Sequence, residues 1–205
     1  MVTAHYFFDP MCGWCYGATP LAETLASASN VNMILHAGGM ITRQKMHRDF
    51  RAMAQEFDKK IASQTGQIFS VDYHNRLTSN NTIMLDSYIT AQGVYVMEKF
   101  CSKGFDMLKA IQQAHYQFAL DVSDYNVLAT IASKLGVEES RWSRLMRSQT
   151  KQIDDDIHQE QQLMNLWGVR GFPTFIIEKD GNLTSLPHEN YYKDLVKWKE
   201  LVEQL

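Results

Sequence analysis

The chain has 205 residues, 45% of them hydrophobic, with 20 basic and 23 acidic side chains and a formal net charge of −3. This length suits one domain of ordinary size, or a small domain with a large insertion, and excludes a largely disordered chain at this apolar content. The balanced charge gives no sign of nucleic-acid binding or of attraction to an anionic membrane, and three cysteines are too few for a disulfide-stapled secreted mini-domain.

The N-terminal segment predicts a cytoplasmic protein. It has no basic region, and its apolar run is only Tyr6-Phe7-Phe8, unlike a secretory signal. No stretch approaches the roughly 18 uninterrupted apolar residues of a membrane-spanning helix. In a reducing compartment, a Cys-x-x-Cys pair is more often catalytic or metal-binding than a structural bridge.

The first 40 residues predict a β-α-β unit. The aromatic run His5 to Phe8 ends at Asp9-Pro10, which predicts a buried strand followed by a turn. Tyr16 to Ser29 carries apolar residues at spacings of four and three, as in an amphipathic helix. Val31 to Ala37 predicts a second strand, closed by a turn at Gly38-Gly39. The cysteine pair therefore falls at a strand-to-helix junction.

The middle of the chain, from about Gly39 to Lys151, is predicted to be helical without strands. Its apolar periodicity and capping residues indicate four helices: roughly Gln44 to Thr65, from Asn81-Thr82 to Phe100, Phe105 to Leu120, and from a Ser123-Asp124 cap to Gly136. The stretch Glu138 to Trp167 predicts one or two further helices.

Strand character returns near the C-terminus. Thr174 to Glu178 predicts a strand, Asp180-Gly181 is a strong hairpin-turn signal, and Leu183 to Leu186 would be the partner strand. An amphipathic helix, Glu189 to Leu205, closes the chain. Since no repeat or flexible linker separates these segments, we expect residues 1–38 and 152–205 to form one domain into which residues 39–151 are inserted.

Cys12-Gly13-Trp14-Cys15 carries the strongest chemical signal. Cys12 would sit near a helix N-cap, where free backbone N–H groups and the helix dipole favour a negative sulfur. Such settings lower a thiol pKa from about 8.5 to roughly 3.5–7.5, and the thiolate is the species that attacks a disulfide. Cys15, one turn later, is placed to resolve the mixed disulfide by attacking the sulfur of Cys12.

Two other interpretations of the pair remain. A zinc site would need two more ligands at close spacing, but Cys101 stands alone and the seven histidines are scattered, so we predict no metal. The two cysteines could also simply be buried neighbours, as we expect for Cys101, because free cysteine is commonly a core residue.

A second motif, Gly168 to Thr174, ends a helix and opens a strand with Pro173 at its start. Taken alone, Pro173 is an ordinary strand-entry proline, although bonds to proline are the only common cis peptides.

Together the two motifs resemble the thioredoxin superfamily. With the helical insertion, the chain is similar to the DsbA-like thiol-disulfide oxidoreductases, and Tyr6 to Cys15 is particularly similar to cytoplasmic members described as disulfide isomerases. The resemblance implies an α/β, thioredoxin-like fold with a large helical insertion. It also implies that Cys12 attacks, that Cys15 resolves, and that a cis-Pro173 faces them while the backbone of Phe172 holds an extended substrate.

The resemblance assigns further roles around the pair. Gly13 and Trp14 occupy the two positions that tune redox potential; neither is basic, so we expect a pair less oxidising than the strongest oxidants of the family. Met11, Trp14 and Phe172 would form an apolar rim for flexible polypeptide, although for Met11 local packing is an equal alternative. Many relatives place a buried acid where this chain has Tyr6. Asp9 is more simply a turn residue before a proline.

The expected function is dithiol–disulfide exchange on proteins or peptides, with no metal or organic cofactor and with glutathione as a possible redox partner. One alternative is a glutathione-dependent transferase or isomerase of the kappa-class type, whose members generally have serine in place of Cys12. Another is a non-catalytic peptide-binding module or chaperone. The direction of electron flow, the natural substrate and the oligomeric state stay open.

Overall fold

A four-stranded sheet forms the centre of the molecule, which we describe over residues 1–205 from a computed structural model. Its strands are β1 Val2–Phe8, β2 Val31–Ala37, β5 Thr174–Lys179 and β6 Asn182–Ser185. They lie in the order β2-β1-β5-β6, with β1 parallel to β2 and antiparallel to β5. The first two predicted strands and the late strand are therefore confirmed, with β1 three residues longer at its start.

The helix predicted from Tyr16 to Ser29 is in fact two helices, the first of which begins before Tyr16. It divides into α1, Gly13–Gly17, and α2, Thr19–Ser27, with Ala18 between them. Pro20 lies in the first turn of α2 and has no N–H to donate to the turn before it, so it starts a helix well but cannot continue one.

Six helices lie between β2 and the last long helix: α3 Arg48–Thr65, α4 Val71–Thr78, α5 Ser87–Cys101, α6 Gly104–Tyr116, α7 Tyr125–Lys134 and α8 Glu139–Gln149. The predicted cap of α7 is confirmed, since the Asp124 side chain accepts the Asn126 N–H. The prediction for Glu138 to Trp167 resolves into α8 and a separate α9, Ile153–Trp167.

The prediction of a helical block without strands was wrong. The block contains a short antiparallel ribbon, in which β3 (Gln44–Lys45) pairs with β4 (Met84–Leu85). Two-residue strands carry no readable periodicity, and this pairing joins residues about forty positions apart. The helices predicted from Gln44 and from Asn81-Thr82 consequently begin later, at Arg48 and Ser87, and α4 was not predicted at all.

The C-terminal part follows the sequence prediction closely. Asp180 and Gly181 both have positive φ, 51° and 76°, as the predicted tight hairpin turn between β5 and β6 requires. The predicted last helix is instead a short 3₁₀ segment, His188–Tyr191, followed by α10, Leu195–Glu203.

The core is continuous across the sheet and the helical block. One hydrophobic cluster of 44 buried residues contains side chains of both, from Phe8 and Phe175 in the sheet to Ile111 and Trp142 in the helices. No helix combines the length and the apolar character needed to cross a membrane. The α/β, thioredoxin-like fold with a large helical insertion is confirmed.

Candidate active site at the first strand-to-helix turn

Cys12 is the N-cap residue of α1, as predicted. The turn after β1 places it there, and its backbone N–H donates to the Asp9 carbonyl over 3.1 Å. Only 8% of the residue is exposed, and its Sγ lies 3.8 Å from the carbonyl oxygen of Phe172. This sulfur thus lies at the junction between the first turn and the segment before β5, 160 residues later.

Cys15 lies behind Cys12 and is fully buried. Its Sγ accepts the backbone N–H of Asp9 over 3.5 Å. Burial raises the pKa of the Cys15 thiol well above its ordinary value, and the neighbouring Cys12 raises it further. Both cysteines are free thiols in this structure. The fully buried sulfur of Cys15 is therefore held in the protonated state.

The Phe172–Pro173 peptide bond is cis, as the resemblance implied. Phe172 and Pro173 line two cavities, of about 350 and 450 Å³, which also share His188 and Glu189. The smaller cavity is also lined by Trp14, Lys60 and other side chains. The segment before β5 thus offers open space directly beside the backbone that contacts Cys12.

Gly13 and Trp14 lie in different surroundings: Gly13 faces α3, and the Trp14 ring faces a cavity. A Cβ built on Gly13 would lie 3.0 Å from Ile61 Cδ1 and 3.4 Å from Asp58 Oδ1, so this glycine permits close packing of α1 on α3. The Trp14 ring instead faces the smaller cavity, where it stacks on Tyr192 with ring centroids 5.9 Å apart.

Met11 is 7% exposed and belongs to the core cluster. Its sulfur accepts the Asp86 N–H, and its carbonyl accepts the Tyr116 hydroxyl over 2.7 Å. Both partners come from the helical block. The predicted apolar rim consequently takes its accessible surface from Trp14 and Phe172, while the Met11 side chain packs inside.

Asp9 has a larger structural role than sequence reasoning gave it. The carboxylate is fully buried and accepts three hydrogen bonds, from Met11 N at 2.9 Å, Met40 N at 2.7 Å and Ser87 Oγ at 2.9 Å. Burial raises its pKa, although these hydrogen bonds act in the opposite direction. Asp9 therefore holds the cysteine turn against the loop after β2 and against α5. In the sequence, the only indication of this role was the position of Asp9 just before the turn.

Tyr6 and His5 lie on opposite faces of β1, as the alternation of strand side chains predicts. Tyr6 is fully buried, stacks on Phe175 with ring centroids 4.5 Å apart, and its hydroxyl lies 3.5 Å from the Cys15 carbonyl. His5 contacts His36 and Glu178 on the other face. The phenol of Tyr6 thus lies against the backbone of Cys15.

Metal-ligating side chains do not cluster at this site. No group of three or more histidine, cysteine, aspartate or glutamate side chains has the arrangement of a metal centre anywhere in the chain. Cys101, at the end of α5, is partly exposed, and packs against the core.

Comparison with known proteins agrees with this architecture. The family model of the DSBA-like thioredoxin domain matches residues 3–190. Among solved structures, the chain is 32% identical to the cytosolic disulfide reductase DsbM from Pseudomonas aeruginosa, with a TM-score of 0.92 over 98% of this chain and 97% of that one. The same protein with GSH gives 31% identity and a TM-score of 0.90, covering 98% of each chain.

A more distant likeness is to the thiol-disulfide exchange protein alpha-DsbA2 from Wolbachia pipientis, at 18% identity and a TM-score of 0.60, over 99% of this chain and 81% of that one. It shows the shared fold alone. No curated protein matches the chain.

A thioredoxin-type sheet with a helical insertion, and a Cys-x-x-Cys turn beside the cis Phe172–Pro173 bond, define a thiol-disulfide exchange protein. The chain belongs to the DsbA-like family of thiol-disulfide oxidoreductases.

Proposed function

We propose that this protein is a disulfide reductase that exchanges its Cys12–Cys15 dithiol with disulfides of proteins or peptides. The observation that carries the proposal is the position of Cys12 Sγ, 3.8 Å from the Phe172 carbonyl beside Pro173, with Cys15 fully buried behind it. The reductase direction is supported by the similarity to DsbM, which is named a cytosolic disulfide reductase.

The reaction divides into two exchanges. The Cys12 thiolate attacks one sulfur of the substrate disulfide, forming a mixed disulfide and releasing the other sulfur as a thiolate. Cys15 then loses its proton and attacks Cys12 Sγ, so that the Cys12–Cys15 disulfide forms and the second substrate thiolate leaves. Two electrons pass from the dithiol to the substrate. The raised pKa of Cys15 keeps its thiol protonated, so Cys12 is the nucleophile of the first step.

Phe172 and Pro173 would align the substrate. The Phe172 carbonyl lies next to Cys12 Sγ, and the two cavities beside it leave room for an extended backbone to hydrogen-bond there as an added strand does. Trp14 would contribute apolar contact and, with Gly13, tune the potential. No metal or organic cofactor enters this scheme, and a cytoplasmic location would keep the pair reduced.

Insulin-disulfide reduction with three single variants tests the proposal. Cys12→Ala is expected to abolish turnover, and Cys15→Ser is expected to stop it at the mixed disulfide with substrate. Cys101→Ser is the matched control, because it removes a thiol outside the site, and should leave the rate unchanged. Turnover that survives Cys12→Ala contradicts the mechanism.

The same variants separate the two alternatives. A kappa-class-type transferase needs no second cysteine, so glutathione conjugation would continue in Cys15→Ser. A peptide-binding module or chaperone would protect unfolded protein equally well with Cys12→Ala.

Glutathione is the proposed redox partner that returns the pair to the dithiol. The structure of DsbM with GSH supports this choice. The smaller cavity beside Trp14 also offers Lys60, whose Nζ lies 5.9 Å from the Trp14 ring centroid, as a cation for one of the glutathione carboxylates.

Lys60→Gln is expected to slow oxidation of the reduced pair by glutathione disulfide, but not by the uncharged hydroxyethyl disulfide. Lys59→Gln is the control, since Lys59 is the preceding residue of α3, is exposed and pairs with Glu56. Stopped-flow tryptophan fluorescence would report the rates. Equal slowing with both oxidants would contradict recognition of glutathione by charge.

A further inference from the structure

Asp58 is a buried carboxyl group that the exchange mechanism does not use. It lies on α3, the helix that packs against the cysteine-bearing α1, and only 4% of the residue is exposed. Aspartate is seldom buried to this extent without a full set of partners, because an ionised carboxylate loses its hydration there.

The carboxyl group is only half satisfied. It hydrogen-bonds with the Tyr73 hydroxyl of α4, but Oδ2 has no hydrogen-bond partner. Burial raises the pKa of Asp58 to about 7, despite the lowering effect of the Tyr73 hydrogen bond. Near neutral pH the group therefore exists in both its neutral and its charged form.

Asp58 faces the reactive turn directly. Its Oδ1 would lie 3.4 Å from a Cβ on Gly13, the residue after Cys12, and the Tyr116 hydroxyl would lie 3.8 Å from the same point. That hydroxyl donates to the carbonyl of Met11, the residue before Cys12. Asp58, Cys12 and Cys15 all raise the pKa of Tyr116, after the larger effect of burial. The carboxyl and the thiols therefore act on one shared phenol.

The other groups around Asp58 provide little screening between an Asp58 carboxylate and a thiolate of the cysteine turn. Tyr73 and Tyr116 are neutral phenols whose pKa values burial raises. Arg76 on α4 is a nearby cation, and it acts on Tyr73. A carboxylate and a thiolate would thus share a weakly screened pocket, in which like charges oppose each other.

We propose that Asp58 is a positioning residue for the thiol of Cys12, which forms its thiolate readily while the Asp58 carboxyl is neutral and less readily once that carboxyl is ionised. This inference rests on the proposed role of Cys12 as the attacking sulfur. The helical block thereby gives the exchange reaction a pH dependence of its own.

The test is the rate at which iodoacetamide alkylates Cys12 in the reduced, full-length protein between pH 5 and pH 9, followed by mass spectrometry. The wild-type profile is expected to change slope near pH 7. In Asp58→Asn this inflection should disappear, and alkylation above pH 7 should be several-fold faster, since one pKa unit corresponds to a tenfold change in thiolate fraction at low ionisation. Asp49→Asn, an exposed substitution on the same helix, should match the wild type.

A second variant makes the result independent of how Asp58→Asn folds. Tyr73→Phe removes the hydrogen bond that favours the ionised carboxylate, so the inflection should move to higher pH. Profiles of Asp58→Asn and Tyr73→Phe that superimpose on the wild type would overturn the inference. A wild-type protein that does not reduce insulin would instead contradict the proposed function, whatever its alkylation profile.

Discussion

Gly38 lies where the ring of Phe172 leaves no room for a side chain. A Cβ built on Gly38 would overlap Cζ of that ring, lie 2.6 Å from its Cε1, and lie 3.0 Å from the Met164 sulfur. The φ of Gly38 is not positive, so the backbone would accept alanine and the conflict concerns the ring alone. The absence of a side chain at Gly38 therefore allows the Phe172 ring to occupy its position beside Cys12.

Gly38→Ala is expected to lower kcat/KM for insulin reduction about tenfold or more, because a displaced Phe172 no longer aligns the substrate backbone. Alkylation of Cys12 by iodoacetamide, which needs no alignment, should keep its rate. Ser148→Ala, an exposed substitution on α8 away from the site, is the control. Equal kcat/KM for the Gly38 variant and the wild type would contradict the role of the ring.

The sequence predicted the positions of the cysteine pair and of the cis-proline better than their surroundings. Cys12, Cys15 and Pro173 stand in short motifs, so their neighbours in sequence already indicate their chemistry. Asp58 gave no such signal, and Asp9 gave only its place before the turn, because their partners come from distant elements: Met40 and Ser87 for Asp9, and Tyr73 for Asp58. Burial of a polar side chain depends on the tertiary fold, which local patterns do not report.

At the scale of elements, a chain of four side chains ties α9 to the sheet. Glu178 of β5, His5 of β1, His36 of β2 and Glu160 of α9 are linked by contacts of 3.2, 2.9 and 2.7 Å. Burial lowers the pKa of His5, although its hydrogen bond with Glu178 acts in the opposite direction. Because α9 is followed by the segment that contains Phe172 and Pro173, these four linked side chains also help to hold that segment in place.

His36→Leu is expected to lower the free energy of unfolding by about 3 kcal/mol, because it leaves His5 and Glu160 without their shared partner. Urea denaturation followed by circular dichroism would measure the change. His158→Leu is the matched control on α9: His158 is exposed and bonds only to Gln162, so the change should stay within about 0.5 kcal/mol. A similar loss in both variants would show that the linked chain contributes little.

Elements whose signals are local could be predicted, and those that depend on distant contacts could not. Asp180-Gly181 specifies its turn through its own backbone preferences, and Asp124 caps α7 through a residue two positions away. The β3–β4 ribbon joins Gln44 to Leu85 and therefore has no local signal. The break before Pro20 had a signal, the missing N–H of proline, which the apolar spacing of the segment concealed.

At the scale of the whole molecule, the helical block and the sheet share one core and one site. Tyr116 of α6 holds the Met11 carbonyl, and Gln112 of the same helix accepts the Thr19 hydroxyl over 2.7 Å. The cysteine turn is thus held on one side by the strand that precedes it and on the other by the inserted helices. The block completes the environment of Cys12, and its titrating groups should affect the stability of the molecule.

Two buried groups of the helical block give that stability opposite pH dependences. Asp58 has a pKa of about 7 in the folded protein and an ordinary value of 3.8, so the folded state binds more protons between these values and stability falls as pH rises through them. Burial lowers the pKa of His115 from 6.5 to about 4, so the unfolded state binds more protons there and stability rises with pH. Over much of this interval the two effects offset each other in the wild type.

Asp58→Asn should remove the opposing effect of Asp58 and so reveal that of His115. Its free energy of unfolding is expected to rise between pH 4 and pH 6.5, where that of the wild type stays nearly level, and to exceed the wild-type value at pH 8 by at most about 4 kcal/mol. Urea denaturation at a series of pH values would measure both curves, with the exposed Asp49→Asn following the wild type. If the curve of Asp58→Asn ran parallel to that of the wild type from pH 4 to pH 8, the carboxyl of Asp58 would titrate alike in the folded and the unfolded protein, and its burial beside the cysteine turn would carry no electrostatic consequence.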